Sequence, residues 1–111
     1  MPGMPSGLSQ LGRFAQPAQQ ILNVLSGGPR VPLAIRREVG ARCGGDLGPG
    51  TLFGTIARLE RHALIEVVPG SVAPRAYRLT ALGAETLEAQ LAALARMGSS
   101  AVRAVNRNAT S

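Results

Sequence analysis

The chain has 111 residues, and its 12 basic residues, all arginine, outweigh 6 acids to give a formal net charge of +6; a chain this short builds one domain. One cysteine, Cys43, and one histidine, His62, leave nothing for an internal disulfide or a zinc centre. With no phosphate loop and no paired carboxylates either, general acid–base and nucleophilic chemistry lack carriers, so the composition argues against an enzyme and calls for no cofactor or metal.

Residues 1–16 hold Pro2, Gly3, Pro5, Ser6, Gly7 and Gly12 and read as a mobile arm. The start lacks the apolar stretch of a signal peptide, and no segment reaches the ~18 apolar residues that cross a bilayer, which gives the expectation of a soluble, cytoplasmic protein. Pro17 suits the first turn of a helix, in which Ile21, Leu22 and Leu25 share a face before Gly27-Gly28-Pro29 stops it. A second helix starts at Pro32, with Leu33, Ile35 and Val39 on its apolar side and Arg36, Arg37 and Glu38 mostly away from it, and it ends around Cys43. Gly44-Gly45-Asp46 is turn chemistry and Leu47 an apolar anchor within it. A third helix then runs from Pro49 to about His62. Leu52, Ile56 and Leu59 form its inward stripe, which leaves Thr51, Thr55, Arg58 and His62 on or near the other side. A short helix, a glycine-containing turn and a helix with a polar outer face make a helix-turn-helix candidate.

Beyond this helix the apolar period falls to about two. Leu64 to Val68 and Arg75 to Thr80 read as strands around a Pro69-Gly70-Ser71 turn, with Tyr77 and Leu79 on one face and Arg78 on the other. Thr80 is placed to cap a helix from Ala81 to about Met97, on which Leu87, Leu91 and Leu94 recur. Residues 98–111 either fray or continue that helix through Val102 and Val105.

The run Leu47 to Ile65, Leu-Gly-Pro-Gly-Thr-Leu-Phe-Gly-Thr-Ile-Ala-Arg-Leu-Glu-Arg-His-Ala-Leu-Ile, followed by Arg-Ala-Tyr-Arg-Leu-Thr-Ala-Leu-Gly from Arg75 to Gly83, closely resembles the PadR family of transcriptional repressors. The family opens its recognition helix with Pro-Gly-Thr-Leu-Tyr, leaves it through Leu-Glu-x-x-Gly-Leu-Ile and enters its last helix through Tyr-x-Leu-Thr-x-x-Gly. The resemblance covers roughly residues 17–94. It implies an α+β, mostly helical fold: a winged helix-turn-helix over residues 17–80, with a two-stranded wing, followed by a dimerisation helix over 81–97. It further implies a homodimer that binds double-stranded DNA, at a palindromic operator, as a transcriptional regulator and repressor. Three departures stand out. Phe53 replaces the tyrosine and its hydroxyl; Ala63 stands where glycine is usual, at a site where a left-handed backbone costs alanine about 1 kcal/mol; and the charged stretch between the strands is short.

A recognition helix reads the major groove with its N-terminal half, which brings Gly50, Thr51, Phe53, Gly54 and Thr55 closest to DNA. Thr51 offers a hydroxyl to a phosphate or base edge, Phe53 an apolar contact to a thymine methyl, and Gly54 a close approach. Arg58, a turn further on, is the foremost side chain for a base or phosphate. Arg75 near the wing and Arg78 on its outer face suit phosphates beside the minor groove, and Arg30, Arg36 and Arg37 suit the flanking backbone. The alternative readings are solvated threonines, a core Phe53 and a solvated face for the arginines of the second helix. Leu87, Leu91 and Leu94 suit either a dimer interface or the domain's own core. Cys43 reads as a packing residue or a redox-sensing thiol, and His62 as a phosphate contact, a pH sensor or a helix cap. A winged-helix module for protein–protein contact, without specific DNA binding, is the alternative reading of the whole chain.

Overall fold

The computed structural model describes residues 8–110. A 3₁₀ helix (Ser9–Phe14) leads into α1 (Ala15–Leu25), α2 (Pro32–Cys43) and α3 (Pro49–Arg61); a hairpin of β1 (Ile65–Val67) and β2 (Tyr77–Leu79) follows, and α4 (Ala81–Thr110) closes the chain. Residues 1–7 of the expected arm lie outside the described residues. Its remainder is part of the fold: Leu8 and Leu11 are buried in the core, and Gly12 kinks the chain at φ 59 within the 3₁₀ segment. Burying two leucines outweighs the poor helix propensity of their neighbours. Helix α1 begins two residues before Pro17, which the first turn tolerates because its N–H groups lack intrahelical partners.

Ala18, Ile21, Leu22, Val24 and Leu25 of α1 form the centre of the core, which touches α2, α3, α4 and β2. Ile35 and Val39 of α2 join it, whereas Leu33, expected beside them, is exposed. Gly44 ends α2 in a left-handed conformation, φ 73, with its N–H on the Gly40 carbonyl at 3.0 Å. The buried Leu47 pins the turn, and extended Gly48 followed by Pro49 starts α3. The helix-turn-helix is thus built from α2 and α3, and α3 buries Leu52, Thr55, Ile56 and Leu59.

The exit from α3 keeps a left-handed residue without glycine. Ala63 has φ 60; its N–H bonds to the Glu60 carbonyl at 3.0 Å, and the Leu64 N–H reaches back to the Leu59 carbonyl at 2.9 Å. Leu59 and Leu64, both buried, pack where this double bond closes the helix. Ala63→Gly relieves the Cβ strain but gives part of that gain back by raising the entropy of the unfolded chain, so a net gain of up to about 0.5 kcal/mol is expected in denaturant unfolding. A loss would mean the alanine side chain has a use of its own.

β1 and β2 pair antiparallel with Ile65 opposite Leu79, Glu66 opposite Arg78 and Val67 opposite Tyr77. Tyr77 and Leu79 pack on the core, as alternation predicts. Arg30 adds a third, one-residue strand: its N–H and carbonyl exchange hydrogen bonds with Tyr77 at 3.0 and 2.8 Å. Thr80 caps α4 by accepting from the Gly83 N–H at 3.0 Å while its hydroxyl donates to the Ala63 carbonyl at 2.6 Å. Gly83 lies directly on the Leu64 carbonyl. Helix α4 runs 30 residues and continues past Met97 to Thr110. No helix among the described residues is long and apolar enough to cross a membrane.

Candidate nucleic-acid interface

The inward stripe of α3 leaves Gly50, Phe53, Gly54, Ala57 and Arg61 along the opposite side, with Thr51 and Arg58 flanking it. Gly50 and Thr51 are exposed and Phe53 is 55% exposed, so the phenylalanine is not core. Thr55 corrects the expectation of a DNA contact. It is fully buried, and its hydroxyl donates to the Thr51 carbonyl at 2.6 Å, the backbone bond by which a threonine hides its polar atom inside a helix. Gly54 does permit a close approach, but the approaching group is the Phe14 ring: a Cβ there would stand 3.3 Å from Phe14 Cε1.

Arg58 is half-buried and folded onto its own helix. Its Nη1 donates to the Gly54 carbonyl at 3.0 Å, and its guanidinium carbon lies 3.9 Å from the centre of the Phe14 ring. The arginines of this surface divide by their partners. Arg36 forms a two-pronged ion pair with Asp46, at 2.9 and 3.1 Å, that ties α2 to the turn before α3. The bonded guanidinium holds the Asp46 carboxyl below the usual range. A group lowered in this way contributes above its ordinary range and loses that contribution as pH falls through the folded value; the tie is therefore intact at neutral pH. Arg78 pairs with Glu66 across the hairpin at 2.8 Å, and Arg30 with Glu38, which also lies 3.8 Å from Arg42. Arg13, Arg37, Arg58, Arg61 and Arg75 have no acid partner among the described residues, and Arg37, Arg61 and Arg75 are exposed.

Arg61 and Ala57 escaped the sequence reading, although the helical period from Gly50 and Gly54 points to both. Arg75 stands beside the wing near Tyr77, whose hydroxyl burial pushes above its ordinary pKa, with the charge of Glu60 adding to the rise and Arg75 opposing it. On α4, Leu87 is buried in the domain's own core, which corrects its assignment to a dimer interface. Leu91 and Leu94 are each 43% exposed, and Met97 continues their stripe. No group of three or more potential metal ligands gathers among the described residues.

A short helix, turn and second helix backed by a hairpin wing and a long final helix define a winged helix-turn-helix protein. No protein-family model matches the chain. Over 77 residues, 69% of the chain, it is 35% identical to an uncharacterised 37.1 kDa protein of transposon TN4556 from Streptomyces fradiae, and it covers 22% of that protein's length. RosR from H. salinarum superposes with a TM-score of 0.61 at 28% identity, covering 67% of either chain. A PadR-like transcription factor from Bacteroides fragilis superposes with a TM-score of 0.71 at 18% identity, over 84% of this chain and 93% of the other. The chain therefore has a PadR-type winged-helix fold.

Proposed function

We propose that the chain is a double-stranded-DNA-binding transcriptional regulator, a repressor that acts as a homodimer, with α3 in the major groove and the hairpin beside the adjacent minor groove. The observation that carries this reading is the outer side of α3. Gly50, Thr51 and Phe53 lie uncovered at its start, and Arg58 and Arg61 follow with no acid to neutralise them. An uncapped helix start combined with unpaired guanidinium groups suits a polyanion with groove edges. Phe53 is placed for a thymine methyl, Thr51 for a phosphate or base edge, and Arg37 and Arg75 for flanking phosphates. Arg36 and Arg78 reach phosphate only by sharing or leaving their carboxylate partners. RosR and the PadR-like transcription factor support the reading by their shared architecture.

The test is a titration of a mixed-sequence duplex at two salt concentrations, followed by selection of genomic fragments to find the operator. Affinity is expected to fall steeply with salt. Arg58→Ala is expected to weaken operator binding by about ten-fold, in line with the cost of losing one arginine contact, while Arg103→Ala, far along α4, leaves it nearly unchanged. Equal losses from both would place the DNA elsewhere, and salt-insensitive, negligible binding would favour the protein–protein module.

A further inference from the structure

Arg13 and Phe14 lie just ahead of α1, in a stretch whose sequence reads as a loose arm, yet the fold brings them against α3. The Phe14 ring collects two cations: its centre lies 3.9 Å from the guanidinium carbon of Arg58 and 5.0 Å from that of Arg13. Phe14 also fills the space that Gly54 leaves by lacking a Cβ. Together Arg13, Phe14, Gly50 and Thr51 line an open recess of about 410 Å³ beside the first turn of α3.

Two like charges on one ring repel each other, and the negative face of an aromatic ring offsets only part of that. All six acids of the chain fall among the described residues, and none pairs with Arg13 or Arg58. Among the described residues the other half-buried arginines, Arg30, Arg36 and Arg78, are each answered by a carboxylate, and only exposed ones such as Arg37, Arg61 and Arg75 share the lack of one. A pair of cations left without one, at the edge of an uncovered recess, suits an anion from outside.

We propose that Arg13 is an additional phosphate contact and that Phe14 is a positioning residue holding Arg58 for DNA, so that the segment before α1 completes the interface of α3. The inference rests on the DNA-binding reading and adds a second strip of contact to it. Phe14 works by cutting the rotamer freedom of Arg58, leaving less to be lost on binding. Arg13 works by charge alone.

The experiment is a salt series with a mixed-sequence duplex for the full chain, Arg13→Gln, Phe14→Leu, Phe14→Tyr, Arg58→Ala and the Phe14→Leu/Arg58→Ala double variant. Arg13 is exposed, so its variant keeps the fold. Its plot of log affinity against log salt is expected to lose about one unit of slope, the signature of one phosphate contact. Phe14→Leu is expected to weaken binding about five-fold, within the range of a partly desolvated cation–π contact; Phe14→Tyr, which keeps the ring, restores it. Phe14→Leu adds no loss once Arg58 is gone. If the unaltered chain shows no salt-sensitive binding, the parent reading falls and the inference with it. If it binds, but Arg13→Gln keeps the full slope and Phe14→Leu costs as much with or without Arg58, the inference alone is overturned.

Discussion

Gly83→Ala is expected to be the most damaging single-methyl change in this domain. The added Cβ would overlap the Leu64 carbonyl oxygen and lie 2.9 Å from its carbon. The clash is with backbone, and that backbone cannot yield. Leu64 is held by its N–H on the Leu59 carbonyl, and its own carbonyl accepts from the Thr80 N–H at 3.1 Å. Moving α4 away instead would break the Thr80 cap and pull Leu87 out of the core. Overpacking of this kind costs about 3 kcal/mol, which for a domain of this size lowers the melting temperature by on the order of 15 °C. Thermal unfolding followed by circular dichroism measures it. A variant that melts within a few degrees of the unaltered chain would show that the joint between wing and α4 slides freely.

Leu91→Glu combined with Leu94→Glu is expected to separate the proposed dimer without harming the monomer. Both leucines are well exposed, and the core contact of α4 is made a turn earlier, at Leu87. Two carboxylates on each copy would then face two more across the interface, in place of apolar burial. Light scattering should show the monomer, unfolding should change little, and operator affinity should drop by about two orders of magnitude as two linked half-sites become independent. An unchanged particle mass would place the interface on another surface.

The helical core was readable from the chain because apolar residues recur with the period of each helix. Leu52, Ile56 and Leu59 fall inward as that spacing requires, and Leu47 anchors the turn. The wing follows from the shift to alternation at Leu64, and the Thr80 cap from residue chemistry alone. What escaped depends on contacts between distant parts of the chain. Leu8 and Leu11 sit among prolines and glycines and become core only because α1 and its neighbours offer a place for them. Thr55 looks polar but lies on the buried side, where the Thr51 carbonyl satisfies it. Leu33 lies outside by the same logic in reverse: the helix turns a different side to the core than its apolar residues suggest. The one-residue pairing of Arg30 with Tyr77 leaves no pattern in sequence. At the candidate interface, the exposed start of α3 was legible, whereas the ring of Phe14 over Arg58 was not, because its two partners are separated by two whole helices and most of a third.

The junction at Ala63, Leu64, Thr80 and Gly83 also bears on operator geometry. It fuses the tail of α3, the root of the hairpin and the base of α4 into one piece, with no linker between them. In the proposed DNA-bound dimer, two such pieces joined through their long helices would act as a pair of calipers locked at one opening. Inserting one base pair between half-sites shifts the second by ~3.4 Å and turns it by roughly 35° about the duplex axis; calipers of this build would follow neither movement, so the gap between half-sites is expected to be itself part of what the proposed dimer recognises.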